Sequence, residues 1–375
     1  MAIDLTIFGI NPILFLLGLG NFVALYVAIS LSLNLEAGYT GIPNFGKVLF
    51  VAGGASFAGA FSGRLATYLL GVDTHGNYII FNAQAVAGSV DPFLATHIPA
   101  AFALLFVSVL VAAIVGGGLG FLASYPAVRL REDYLGMLLL ASAQFYQIFL
   151  GGFEPLIGGT QGILVPDPYA AWSGAGPGVR DAVALGVISI FAFLVYVFVE
   201  RIARSPLGRT LRAIRDSEDA SEALGKDNVA IRKKVLVIAS AIAAMAGALL
   251  TFYVGSVGAD TWTRIDWTFW PWLMVIMGGV ANNTGVVVGS LVFGFTLKFL
   301  QQIRYSMQAY LPIDVNWVQY LAFGTLLIVI LMVRPDGIFP EKPSATLGNA
   351  RISAIIEASS KDDQSTAAEG TEESS

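Results

Sequence analysis

From Ile98 to Ser124 the chain runs 27 residues without a charged side chain. A helix that crosses a bilayer needs about 20 apolar residues, so this run can span a membrane. Pro12–Leu33, Val48–Leu70, Tyr134–Leu150, Asp181–Val199, Val235–Val254 and Val315–Val333 are further apolar runs of similar kind. Lipid offers backbone groups no hydrogen bonds, and uninterrupted runs of this length satisfy them as helices. Phe269–Phe299 reads as one span, or as two short segments broken around Gly278–Gly285. The second choice puts Arg334 on the side of the other basic segments, as the positive-inside rule prefers. The expected fold is all-α: a polytopic membrane protein with about 8–10 transmembrane helices, nine by this count, some broken or short. The N-terminus is expected outside and the C-terminus inside. Residues 1–340 are expected to form the membrane domain, and residues 341–375 a polar, disordered cytoplasmic tail.

Composition agrees. With 56% hydrophobic and 13% charged residues and a mean hydropathy of +0.72, the chain has too little polar surface for a soluble globule. Cysteine is absent and the two histidines, His75 and His97, share a single loop, so neither thiol chemistry nor a metal site is expected. No nucleic-acid partner is expected. No basic segment precedes the first apolar run, which therefore reads as a retained span.

One polar segment, 201–234, interrupts the apolar pattern and carries nine of the 21 Lys and Arg residues. A basic loop between two spans faces the cytoplasm. Ser205 and Pro206 suit the start of a helix. On it Arg209, Arg212 and Arg215 share one flank, while Leu207, Leu211 and Ile214 line another. A second short helix is expected from about Asp216, with Glu218 and Asp219 in its first turn, small residues Ala220 and Ala223 beside Leu224, and Gly225 as its stop. Two short helices of this kind can seat in a partner's groove, or can simply be a solvated loop that fixes topology.

Two Gly-rich interruptions, Glu36–Gly46 (EAGYTGIPNFG) and Gly278–Gly285 (GGVANNTG), lie in opposite halves. Broken helices at matching places border the substrate path of many transporters, although loops or close helix packing give the same pattern. Lys47 follows the first interruption, either as an anchor at the cytoplasmic membrane face or facing the path. Gly41–Val48 nearly satisfies a phosphate-binding loop, but Val48 replaces the required hydroxyl and no strand precedes it, so it is not a nucleotide site. Asn282-Asn283-Thr284 matches a glycosylation acceptor within an apolar run and is discounted. Trp262, Trp267, Trp270 and Trp272 suggest an interfacial aromatic belt. No span carries a central Asp or Glu, which argues against proton-driven transport.

Four stretches resemble the inner permease subunits of ABC importers for branched-chain amino acids, of the LivM type: Leu31–Lys47; Arg129–Ala141 with Gly158–Ile163; Gly208–Gly225; and Met277–Ser290 with Arg334–Phe339. They cover nearly the whole membrane region. The resemblance implies that 205–225 is the coupling loop on which separate ATP-binding subunits dock, through Arg209, Arg212, Arg215, Asp216, Glu222, Ala223 and Gly225. It implies a translocation path bordered by Asn34, Tyr39, Thr40, Gly41, Asn44, Lys47, Gly159, Thr160, Gln161, Gly278, Gly279 and Asn282. It also implies a second permease subunit and an extracytoplasmic binding protein meeting Val72–His97 and Gly151–Arg180, in a multi-pass protein of the cell membrane. ATP would be bound by partner subunits, leaving no cofactor and no catalytic residue in this chain. Lys47, Ser221 and Glu132 depart from the family's usual His, Ala and Gly. A sugar-type or urea/amide-type ABC permease, an ion-coupled secondary carrier and a channel or scaffold are the competing readings.

Overall fold

The computed structural model describes residues 11–71, 79, 83–127, 132–307, 315–334 and 336–341. His75, Arg129, Arg131 and the tail 342–375 fall outside the described residues. Thirteen α-helices follow one another among the described residues: α1 (Pro12–Leu33), α2 (Lys47–Leu70), α3 (Ala83–Thr96), α4 (Ile98–Ala127), α5 (Glu132–Gly152), α6 (Glu154–Ile157), α7 (Val179–Arg204), α8 (Pro206–Asp216), α9 (Glu218–Ala223), α10 (Asn228–Val254), α11 (Trp270–Gly278), α12 (Asn283–Met307) and α13 (Val315–Val333). Among the described residues seven helices are long and apolar enough to cross a membrane: α1, α2, α4, α5, α7, α10 and α12. The half-length α11 and the 19-residue α13 complete nine apolar helices among the described residues. The run Phe269–Phe299 is indeed broken, at Gly279–Asn282.

Two spans carry π-helical turns. Asn34–Gly38 extends α1, and Ile265–Phe269 leads into α11. Such turns break the regular backbone ladder and gather at functional sites.

The core is α2 and α10, buried over most of their length, with α4 and α1 against them, whereas α4 and α7 turn most of their surface outward. Small residues make the central crossing possible. A Cβ on Gly54 would overlap the Ala244 carbonyl, and one on Gly247 the Val51 carbonyl, so α2 and α10 meet backbone to backbone.

The end of the molecule away from α8 is more ordered than its sequence suggests. α3 occupies the segment expected as a plain polar connection, and buries Val86, Ala87, Val90 and Leu94. Within Gly151–Arg180, strand β1 (Ile163–Leu164) pairs antiparallel with β2 (Ser256–Val257). The tryptophans do not form a belt. Trp262 is 1% exposed, and Trp267 and Trp270 are also buried, packed with Tyr26. Aromatic rings this close to a broken helix fill space between helices rather than mark the interface.

Candidate functional site

The basic segment is shorter than its charge suggests, because Arg232, Lys233 and Lys234 lie inside α10, which starts at Asn228 behind the Asp227 cap. What remains is a pair of short helices. Pro206 opens α8 as expected, but the Ser205 hydroxyl donates back to the Ile202 carbonyl instead of capping. Ser217 does cap α9, accepting from the Ala220 N–H, and Gly225 ends it in a left-handed conformation that suits glycine (φ +75°). α8 buries Gly208, Leu211 and Ile214, while α9 presents Ala220, Glu222, Ala223 and Leu224 to the outside, Leu224 being 78% exposed.

The arginines of α8 divide. Arg209 is exposed, whereas Arg212 and Arg215 are half-buried and reach the first Gly-rich segment. Arg215 Nη1 donates to the Gly38 carbonyl at 2.8 Å, and the Arg212 guanidinium carbon lies 5.1 Å from the centre of the Tyr39 ring. Gly41 (φ +77°) passes against Arg215, where a Cβ would crowd its side chain.

Behind this contact the two Gly-rich interruptions meet. Asn34 accepts from the Ala281 N–H at 2.9 Å and donates to Asn283 Oδ1 at 3.0 Å, and Asn283 donates to Glu200 near the end of α7. Thr40 bonds back to the Leu35 carbonyl, closing the helix end. Gly278 packs on Gly285. The Arg334–Phe339 stretch joins them, with the Ile338 and Phe339 N–H groups donating to the Met277 and Gly278 carbonyls, and Asn282 donating to the Pro340 carbonyl. Gly279 (φ +116°) touches the Phe339 carbonyl, so only glycine fits there. The start of α5 adds Leu139 against Gly46 and Gly136 against Phe45.

At the centre sits an ion pair. Lys47 Nζ is 2.9 Å from Glu36 Oε2, and both side chains are 0% exposed. Asn44 also donates to Glu36 Oε2, Lys47 donates to the Ala239 carbonyl at 3.4 Å, and Glu36 Oε1 has no hydrogen-bond partner among the described residues. Trp272 donates to the Asn44 carbonyl, and Thr268 accepts from the Val48 N–H, fastening the loop to α11 and its π turn. Lys47 is therefore no membrane-face anchor: an anchor needs its ammonium in water, and this one is enclosed. Glu36 was not singled out from the sequence. The signal was a lone carboxylate 11 residues before a lone lysine in otherwise uncharged surroundings, and the apolar run drawn to Leu33 left it outside the span.

Asn34, Tyr39, Thr40, Gly41, Asn44, Lys47, Gly278, Gly279 and Asn282 are thus brought together, beside Arg212 and Arg215. Gly159, Thr160 and Gln161 are not. They lie at the other end of α5, near Gly151 and Ala259. That end has its own charged cluster, in which Arg180 pairs with Asp167 at 2.6 Å and donates to the Tyr253 carbonyl, and Asp91 accepts from the Asp167 N–H. Burial pushes the Asp91 carboxyl above the usual carboxylate range, against that backbone hydrogen bond. No group of three or more His, Cys, Asp or Glu suited to a metal occurs among the described residues.

Comparison with known proteins identifies the family. The chain is 38% identical over 324 residues to the "Probable branched-chain amino acid transport permease protein LivM" of Methanocaldococcus jannaschii, covering 86% of this chain and 92% of that one. It is 25% identical to the LivM high-affinity branched-chain amino acid permease protein of Escherichia coli (64% of this chain, 58% of that one), and 24% identical to LivH of Escherichia coli (60% and 71%). No solved structure gives a significant match. The profile of the branched-chain amino acid transport system permease component family matches residues 15–331, and the chain belongs to that family of multi-pass membrane proteins.

Proposed function

We propose that this chain is one permease subunit of an ABC importer for branched-chain or related amino acids, paired with a second permease subunit and driven by ATP-binding subunits that dock on α8 and α9. ATP is bound and hydrolysed by those partners. An extracytoplasmic binding protein delivers substrate to the end that holds α3 and the β1–β2 pair. A zwitterionic substrate is met by backbone dipoles at the helix breaks.

The observation that carries this reading is the division of labour in the basic segment. Its first helix is fixed to the body by buried Leu211 and Ile214, and its second holds a small-residue face outward with nothing against it among the described residues. A groove on a soluble partner is what such a face fits. Ala223→Asp and Gly225→Arg place charge and bulk on it. Amino-acid uptake and co-purification of the ATP-binding subunits should both fall, and persistence of both would remove the docking assignment.

The buried Glu36–Lys47 pair favours a second reading, an ion-coupled carrier, because such carriers hold ionisable groups inside the bilayer. Uptake by the purified chain in vesicles with a proton or sodium gradient and no ATPase separates the two; the importer reading requires none.

A further inference from the structure

Resting on the permease reading, we propose that the π-helical end of α1 transmits the motion of α8 to the break between α11 and α12. Arg212 and Arg215 act as positioning residues that make this end and α8 move as one body.

Three observations converge on that segment. On one side, α8 holds it at two adjacent points of different chemistry, a charge-assisted hydrogen bond from Arg215 to the Gly38 carbonyl and the Arg212 guanidinium over the Tyr39 ring. On the other side, Asn34, in the same π turn, uses both ends of its amide on the α11–α12 break, accepting from Ala281 and donating to Asn283. Between the two lies Glu36, paired with Lys47 at the start of α2. Residues 34 to 39 thus touch α8, α2 and the α11–α12 break within little more than one helical turn.

The backbone there is suited to the task. The π turn is closed by an i to i+5 bond from the Tyr39 N–H to the Asn34 carbonyl, so a change to the regular i to i+4 ladder exchanges backbone bonds rather than only breaking them. The Glu36–Lys47 contact supplies a restoring force. It is enclosed, its geometry is good at one carboxylate oxygen, and the other oxygen has no donor among the described residues. A displacement of the α1 end relative to α2 stretches that contact between two side chains that are 0% exposed. The pair therefore favours one position of the α1 end, and work delivered through α8 moves it away.

The test uses the complete transporter, co-expressed with its partner subunits, and exploits the absence of cysteine in this chain. Tyr39→Cys with Arg212→Cys removes the ring–guanidinium contact. Uptake should fall about ten-fold, the scale of an ordinary coupling between sites. Treatment in the membrane with a short bis-maleimide, which ties the two positions together, should restore it. A fall without rescue, or no fall, overturns the proposal, because a contact needed only for folding is not rebuilt by a tether added afterwards. Should the double variant not reach the membrane, Tyr39→Phe, which keeps the ring under the Arg212 guanidinium, should transport several-fold faster than Tyr39→Leu, which removes it; equal transport by both overturns the proposal. Failure of ATP-binding subunits to co-purify with the unaltered chain would instead refute the permease reading itself.

Discussion

Each end of the molecule is organised around a pairing of carboxylate and cation, and the two pairings are built in opposite ways. Beside α8, Glu36 and Lys47 are 0% exposed and rely on one carboxylate oxygen, Asn44 and a long contact to the Ala239 carbonyl. At the far end, Arg180 and Asp167 are 25% and 15% exposed, and Arg180 also reaches Asp181, the Tyr253 carbonyl and the Tyr169 ring. The far cluster is redundant, part-solvated and spread over several elements, as suits a fastening. The near pair is enclosed and sparsely supported, so its strength depends on position, as suits a part that moves.

That contrast can be broken most easily at the enclosed pair. Glu36→Gln leaves the Lys47 ammonium buried without its counter-charge and should lower stability by about 3–5 kcal/mol, while Glu36→Leu with Lys47→Met should recover most of the loss. Unfolding of the purified chain in detergent measures both, and a loss no larger than that of Arg180→Gln would void the comparison. Next comes Gly46→Ala, one residue before Lys47. Its Cβ meets the Leu139 carbonyl, and overpacking of this kind costs about 1–3 kcal/mol.

Arg180→Gln should cost less, about 1–2 kcal/mol in the same measurement, because Asp167 still accepts from the Tyr169 N–H and stays part-solvated. The smallest effect concerns pH. Since the folded protein holds the Asp91 proton more tightly than the unfolded chain does, its contribution to stability is fully present below the ordinary carboxylate range. That contribution is lost as pH rises through the raised value. Asp91→Asn keeps the acceptor for the Asp167 N–H and should flatten the stability profile as pH rises above the ordinary carboxylate range.

How much of this was legible in the chain follows from which signals are local. Span positions were, because each rests on a run of apolar residues: α1 and α13 begin and end where the pattern predicts, and the break near Gly278 follows from its glycines. The grammar of α8 and α9 was equally local, down to the stop at Gly225. Contacts across the fold were not. Arg209, Arg212 and Arg215 look equivalent by spacing, yet the groove at Gly38–Gly41 takes only the last two. Glu36 and Lys47 read as charges beyond the span ends because helix α1 continues through a π turn that no residue pattern announces. α3 and the β1–β2 pair are short, and only their neighbours give them a reason to form.

The central claim is that α8 and α9 present a docking face to the cytoplasm. The most direct measurement places a single cysteine at Leu224, the most exposed apolar side chain of that face, in a chain that has no other. Modification by a membrane-impermeant maleimide should occur only from the cytoplasmic side and should be suppressed when the ATP-binding subunits are bound. Labelling of intact cells from outside, or labelling unaffected by those subunits, would contradict the account.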